Sequence, residues 1–176
     1  MLSKFAVALG FAGILMLFGT LLAVSADDGA PFPNGFRDWF FVNSLTATAD
    51  SPLLGHVAGV HHIYANTRGL PTLKAGGPFP YPDGTIFADD VHEFSVKDGA
   101  SLEGAKKFVT VIVKDAKKYP TTGVWGFQAW AVGDPTKPQV PDIAHSVEVC
   151  FVYHTPQKAQ DYIRCCWKDC SGRVRS

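Results

Sequence analysis

Residues Phe108 to Val113 read Phe-Val-Thr-Val-Ile-Val, and this run limits the possible folds more than any other segment. Side chains on a strand alternate between two faces. Phe108, Thr110 and Ile112 therefore share one face, and Val109, Val111 and Val113 the other. β-Branched residues favour extended backbone over helix. A strand with one face in water would be polar at every second position, whereas here both faces are largely apolar. The run is expected to be a central strand covered on both sides.

Similar runs recur along the chain, separated by turn residues. Strands are expected near Arg37–Thr48, Val57–Ala65, Thr85–Val96, Lys107–Lys114 and Val124–Val132. Gly76-Gly77-Pro78, Pro82-Asp83-Gly84 and Asp98-Gly99 supply turns between them. Helical signals are fewer. Ser51-Pro52 fits an N-cap and first-turn proline for a short helix. A second short helix is expected over Thr67–Lys74, interrupted by Pro71. The strongest signal is Thr155-Pro156, predicted to open a helix through Ile163-Arg164 that stops near Gly172. Gly133 to Ile143 holds three prolines and reads as a surface loop. The predicted fold class is α+β: a mainly antiparallel sheet of about five strands with a few flanking helices.

The first 26 residues have a different character. Lys4 gives a positive start, Phe5 to Leu22 is almost wholly apolar, and Ala23-Val24-Ser25-Ala26 offers small or compact residues before Asp27-Asp28. That is the three-part pattern of a secretory signal peptide. The apolar run approaches the roughly 20 residues that span a bilayer, so an uncleaved anchor is the alternative. An acidic flank fits a stop-transfer segment poorly. Cleavage after Ala26 leaves residues 27–176 as a single domain, large enough for a real core and destined for the periplasm or secretion. With 16 basic and 16 acidic residues overall and only Lys4 lost, the remainder carries a formal charge of −1. Such a chain has no electrostatic footprint for nucleic acid or for an anionic membrane.

All four cysteines, Cys150, Cys165, Cys166 and Cys170, lie near the C-terminus. In an oxidising compartment four cysteines allow two disulfides with three connectivities, although bridges among them would tie only the tail to itself. The segment Cys150-Phe151-Val152-Tyr153-His154 suggests another use. A c-type haem site reads C-x-x-C-H, where two thiols add to haem vinyl groups and the histidine ligates iron. On a helix, residues four apart share a face, so Cys150 can hold the porphyrin edge while His154 reaches the metal. Tyr153 stands where the second thiol would be, which leaves one thioether. The bland alternative is a buried cysteine beside a surface histidine.

Further blocks, in order, are Pro33-Asn34-Gly35-Phe36-Arg37-Asp38-Trp39, Val60-His61-His62-Ile63-Tyr64-Ala65-Asn66, Pro82-Asp83-Gly84-Thr85, Val113-Lys114-Asp115 and Trp125-Gly126-Phe127. With Cys150-x-x-Tyr153-His154 closing the series, the chain resembles the cytochrome P-460 family, which includes the cytochromes c′-beta. The resemblance implies a periplasmic c-type haem protein on a mainly antiparallel sheet. Cys150 then matches the haem-attaching cysteine, His154 the proximal axial ligand and Arg37 an arginine near the pocket. Asp90 falls where the family keeps a glutamate above the iron, so it is either a proton relay with a raised pKa or a solvated strand charge beside Asp89. His61 falls where P-460 enzymes carry a lysine bonded to the porphyrin. It is a distal hydrogen-bond donor, a sixth ligand or a structural group. His61 and His62 must face opposite sides of a strand.

The implied cofactor is haem c, held by one thioether through Cys150. The implied chemistry is oxidation of hydroxylamine, binding of nitric oxide, or electron transfer with a redox partner protein. The competing reading is a haem-free, disulfide-containing binding or structural module on the same fold. If Cys150 holds haem, three thiols remain, so at least one stays free or pairs between chains in a homodimer.

Overall fold

The computed structural model describes residues 29–163, apart from positions 53, 141 and 142. The expected leader and Cys165, Cys166 and Cys170 lie outside the described residues. Five strands, β1 (Phe40–Ala47), β2 (Gly59–Ala65), β3 (Ile86–Lys97), β4 (Ala100–Lys114) and β5 (Trp125–Ala131), form one sheet in the order β1-β2-β3-β4-β5. Every neighbouring pair is antiparallel. The mainly antiparallel α+β architecture is therefore the one observed. Among the described residues, no helix is long and apolar enough to cross a membrane.

The tightest connection has a direct cause. Asp98 and Gly99 join β3 to β4 with φ of 52° and 79°. Two successive positive φ values make the turn that matches strand twist in a two-residue hairpin, and Asp-Gly supplies them at low cost. β4 begins at Ala100 rather than near Lys107, because the exposed segment from Ala100 onward pairs with the far end of β3 as a projecting arm. β1 begins at Phe40 rather than Arg37, since Phe36–Asp38 form a 3-10 turn.

Both sides of β4 are covered from Phe108 onward. One sheet face packs Val42, Ala65, Phe87, Trp125 and Phe127 with Leu73, Tyr81 and Ile163. The reverse face packs Ala88, Val109, Val111 and Trp130 with Ala30 and Phe36. A register shift between Phe41 and Asn43 keeps the first face continuous along β1, with Phe40 and Val42 in its core and Leu45 further along. Such a bulge inserts one unpaired residue and reverses the side-chain parity beyond it.

The helices depart from expectation in informative ways. Pro71 opens α1 (Leu70–Ala75) instead of interrupting it, since a first-turn proline loses no hydrogen bond. Ser51 accepts the Leu54 N–H through its Oγ, as an N-cap should, but only a 3-10 turn (Gly55–Val57) follows. The last helix was expected to open at Thr155. Instead, α2 (Ile143–Ser146) continues through π-helical Val147–Phe151 into α3 (Val152–His154) and a 3-10 stretch, Thr155–Gln160. Asp161 ends it in the left-handed conformation. Ile143, Val147, Val149 and Val152 have modest helix propensity, so packing of Phe151 and His154 on Phe127 stabilises helix where the local sequence does not. The Gly133–Ile143 stretch is pinned as well as superficial: Gln128 bonds both Val140 N–H and Val140 C=O, and Val140 is buried.

Gly126 in β5 lies against the buried Tyr119 ring, and a Cβ there would sit 2.2 Å from Tyr119 Cζ. Gly126→Ala should lower unfolding stability by about 2–3 kcal/mol, as overpacking of a filled core does. Urea denaturation of both proteins at neutral pH measures this.

Candidate functional site

A cavity of about 180 Å³ lies between one sheet face and the C-terminal helical segment. Leu45, Ile63, Phe87, Phe108, Ile112 and Phe127 make its sheet wall apolar. Val149, Cys150, Tyr153 and His154 form the helical wall. Their spacing, i, i+1, i+4 and i+5, is that of a single helical face. The cavity takes in the π-helical turn, a distortion often found at functional sites.

His154 is held from behind. Its Nδ1 lies 2.8 Å from the Tyr162 carbonyl oxygen. A carbonyl only accepts, so Nδ1 carries the hydrogen and Nε2 carries the ring's lone pair. A backbone carbonyl on the second nitrogen is how metal-ligating histidines are commonly oriented. Phe127 and Tyr153 flank the ring, each with its centroid 5.2 Å away. Cys150 is a free thiol, and burial pushes its pKa up to about 11.

The sheet wall carries one polar pair. His61 Nδ1 lies 2.7 Å from Asp89 Oδ2, and His61 Nε2 lies 3.0 Å from the Val57 carbonyl oxygen. Nε2 must donate to that carbonyl, so the proton between Nδ1 and Oδ2 is shared by imidazole and carboxylate. Burial alone would push the imidazole down, but the Asp89 hydrogen bond and charge outweigh it and leave His61 above its ordinary value. Burial pushes Asp89 up, and His61 offsets this only in part. Asp89 Oδ1 is buried with no hydrogen-bond partner among the described residues. With both ring nitrogens engaged, His61 is built as a proton-sharing group rather than as a sixth ligand.

Arg37 and Asp90 lie elsewhere. His61, Ile63, Asp89 and Thr110 follow the parity of the cavity face, while His62, Asp90 and Val109 pair across the reverse face. There Asp90 receives Arg37 Nε at 2.9 Å and Lys106 Nζ at 2.9 Å, with His92 Nε2 at 3.3 Å. Glu103 joins the group through His92 and His62. Burial would raise the Asp90 pKa, but Lys106 and Arg37 overcome this and hold it below the usual carboxylate range. The expectation of a relay carboxylate with a raised pKa is thus corrected: Asp90 is an ion-paired structural anion, and the carboxylate in the cavity is its neighbour. Arg37 likewise does not line the cavity.

The cytochrome P460 family model matches residues 33–164, which span all five strands and the helical segment. The chain belongs to the cytochrome P460 family. No curated protein matches it. Membership in the cytochrome P460 family implies haem, and the donor set suits one: a tautomer-fixed imidazole, a thiol on the same helical face and apolar walls. The cavity is smaller than the roughly 300–1,000 Å³ of pockets that enclose drug-sized ligands. It matches part of a macrocycle rather than all of one. Among the described residues, no group of three or more His, Cys, Asp or Glu side chains converges as a metal site.

Asp89 was missed because Ile86-Phe87-Ala88 gives both parities of β3 an apolar start. Counting Phe87, Asp89 and Val91 as one set, opposite His61 and Ile63, would have found it. The Tyr162 carbonyl leaves no side-chain trace in the sequence. Asp90→Asn should cost about 2–3 kcal/mol at pH 7, the range for hydrogen bonds to a charged group. Because the folded pKa is depressed, the wild-type advantage is present above the unfolded pKa of about 3.9 and fades as pH falls through the lower folded value. Denaturation of both proteins across pH 2–7 measures the gap, and a gap that widens in acid would contradict this assignment.

Proposed function

We propose that this cytochrome P460 family member carries haem c on a single thioether from Cys150, with His154 as axial ligand. We infer that it works in the periplasm or after secretion, where it binds or oxidises a small nitrogen compound such as hydroxylamine or nitric oxide. The observation carrying this reading is that Cys150, a carbonyl-oriented His154 and the His61–Asp89 pair all line one apolar cavity.

Haem, when bound, supplies a redox-active iron whose behaviour depends on its axial ligand and its surroundings. The chain's own residues have separable tasks. Cys150 anchors the edge of the group, and the Tyr162 carbonyl fixes the direction of the His154 ring. Phe87, Phe108, Ile112 and Phe127 exclude water. Oxidation of hydroxylamine releases protons as well as electrons. Asp89 Oδ1 is the atom that accepts a proton, because burial makes this carboxylate a stronger base than an exposed one. Once Oδ1 is protonated the pair carries one positive charge, which rests on the His61 imidazolium hydrogen-bonded to Oδ2. The electrons leave to a redox partner protein.

Expression with the natural leader, followed by intact mass and a pyridine haemochrome spectrum, tests the attachment. The expected product begins at Asp27, carries one haem that resists acid–acetone extraction, and gives a band shifted by the remaining vinyl group. Cys150→Ser should release the pigment to extraction. A colourless wild type overturns the haem reading and leaves a disulfide-containing module, whereas pigment that extracts completely overturns covalent attachment at Cys150. For catalysis, Asp89→Asn should reduce hydroxylamine turnover by about 100-fold or more, the usual size of general-base assistance. The acid limb of the wild-type rate profile should lie above the ordinary carboxylate range. Equal turnover in wild type and Asp89→Asn would rule out the proton-accepting role.

A further inference from the structure

A buried ion pair stands directly behind the carbonyl that orients His154. Lys114, the last residue of β4, bonds Asp161 Oδ2 through its Nζ, and both side chains are buried. The same Oδ2 accepts the Tyr81 backbone N–H at 2.7 Å. Lys114 Nζ also lies 4.9 Å from the centroid of the buried Trp125 ring. Asp161 is thus fixed by the sheet, by a loop and by an aromatic face at once.

Its backbone is unusual. Asp161 and Tyr162 have φ of 55° and 67°, two successive non-glycine residues in the left-handed region. That conformation is unfavourable for L-residues and persists only where the surroundings over-determine it. Here Asp161 N–H donates to Lys158 C=O at 3.1 Å and Tyr162 N–H to Gln157 C=O at 2.8 Å. The Tyr162 ring rests on Gly123, where a Cβ would come within 2.4 Å of it, and packs tilted against Phe151 with centroids 5.1 Å apart. The product of this turn is the direction of one group, the Tyr162 carbonyl, which receives His154 Nδ1–H. A helix stop alone does not require a charged side chain taken out of water and matched to a lysine from another strand. Such a pair costs desolvation and is weak support for stability by itself.

We propose that Lys114 and Asp161 are positioning residues for His154. Their ion pair locks the left-handed turn, the turn aims the Tyr162 carbonyl, and the carbonyl holds the imidazole in its Nδ1–H tautomer. The proposal rests on the reading of His154 as the axial ligand for its consequence, but its first readout needs no haem.

The test uses Asp161→Asn, which keeps an acceptor for Tyr81 but loses the charge. It also uses the double variant Lys114→Met/Asp161→Asn, which leaves no unpaired buried charge and so preserves folding. Nitrogen-15 histidine spectra of the haem-free protein report the His154 tautomer and the exchange of its Nδ1 proton. Wild type should show the Nδ1–H tautomer with a slowly exchanging proton. Both variants should speed that exchange by about tenfold, the factor corresponding to one ordinary hydrogen bond, and mix the tautomers. In pigmented protein the midpoint potential should rise in both variants, because a weaker Nδ1–H bond makes the imidazole a poorer electron donor.

An unchanged His154 tautomer and exchange rate in the folded double variant would overturn the proposal. If Asp161→Asn does not fold, the double variant alone decides. A colourless wild type whose His154 spectrum still responds to these substitutions would reject the haem reading while leaving the positioning role intact.

Discussion

The antiparallel pairing of β2 with β3 keeps two sets of charged side chains apart. His61 lies opposite Val91, and Ile63 opposite Asp89, so all four share the cavity face. His62 pairs with Asp90 and faces the other way. A slip of one residue would exchange the two sets. A slip of β3 would turn Asp90 into the apolar cavity, away from Arg37 and Lys106, and carry Asp89 out of it. The hydrophobic residues on both faces oppose such a slip, since Phe87 and Ala88 are both almost fully buried in separate cores. Packing of ordinary side chains therefore fixes which carboxylate has which chemistry.

Much of the sheet was legible in the sequence, because strand signals are local. Alternation, β-branching and Asp-Gly chemistry act over a few residues, and all five strands overlap the expected stretches, although β4 starts at Ala100, well before Lys107. The helical segment was less legible. Its first half is rich in β-branched residues, and packing on the core, Phe127 included, stabilises it as helix. Proline at position 156 marked a helical turn correctly, but as a late turn rather than a beginning.

The candidate site divides along the same line. Cys150 and His154 could be read from their spacing and share a cavity. The placing of Asp89 and Asp90 could not, since adjacent aspartates differ only in parity and that parity depends on long-range register. The backbone carbonyls of Val57 and Tyr162 carry no residue signature at all, yet each sets the protonation of a histidine. Two side chains of one type are thereby held differently: His61 is engaged through both ring nitrogens, while the Tyr162 carbonyl fixes the Nδ1 hydrogen of His154.

The raised pKa of Cys150 bears on the order of assembly. A thiol held near 11 is almost never ionised at neutral pH, so within the finished fold it is a sluggish nucleophile. On the proposed reading, the carbon–sulfur bond is made while the chain around residue 150 is still open to water and the sulfur can ionise. Closing of the helical segment against β5 then follows the chemistry instead of preceding it. A chain that closes before the bond is made shuts its own point of attachment.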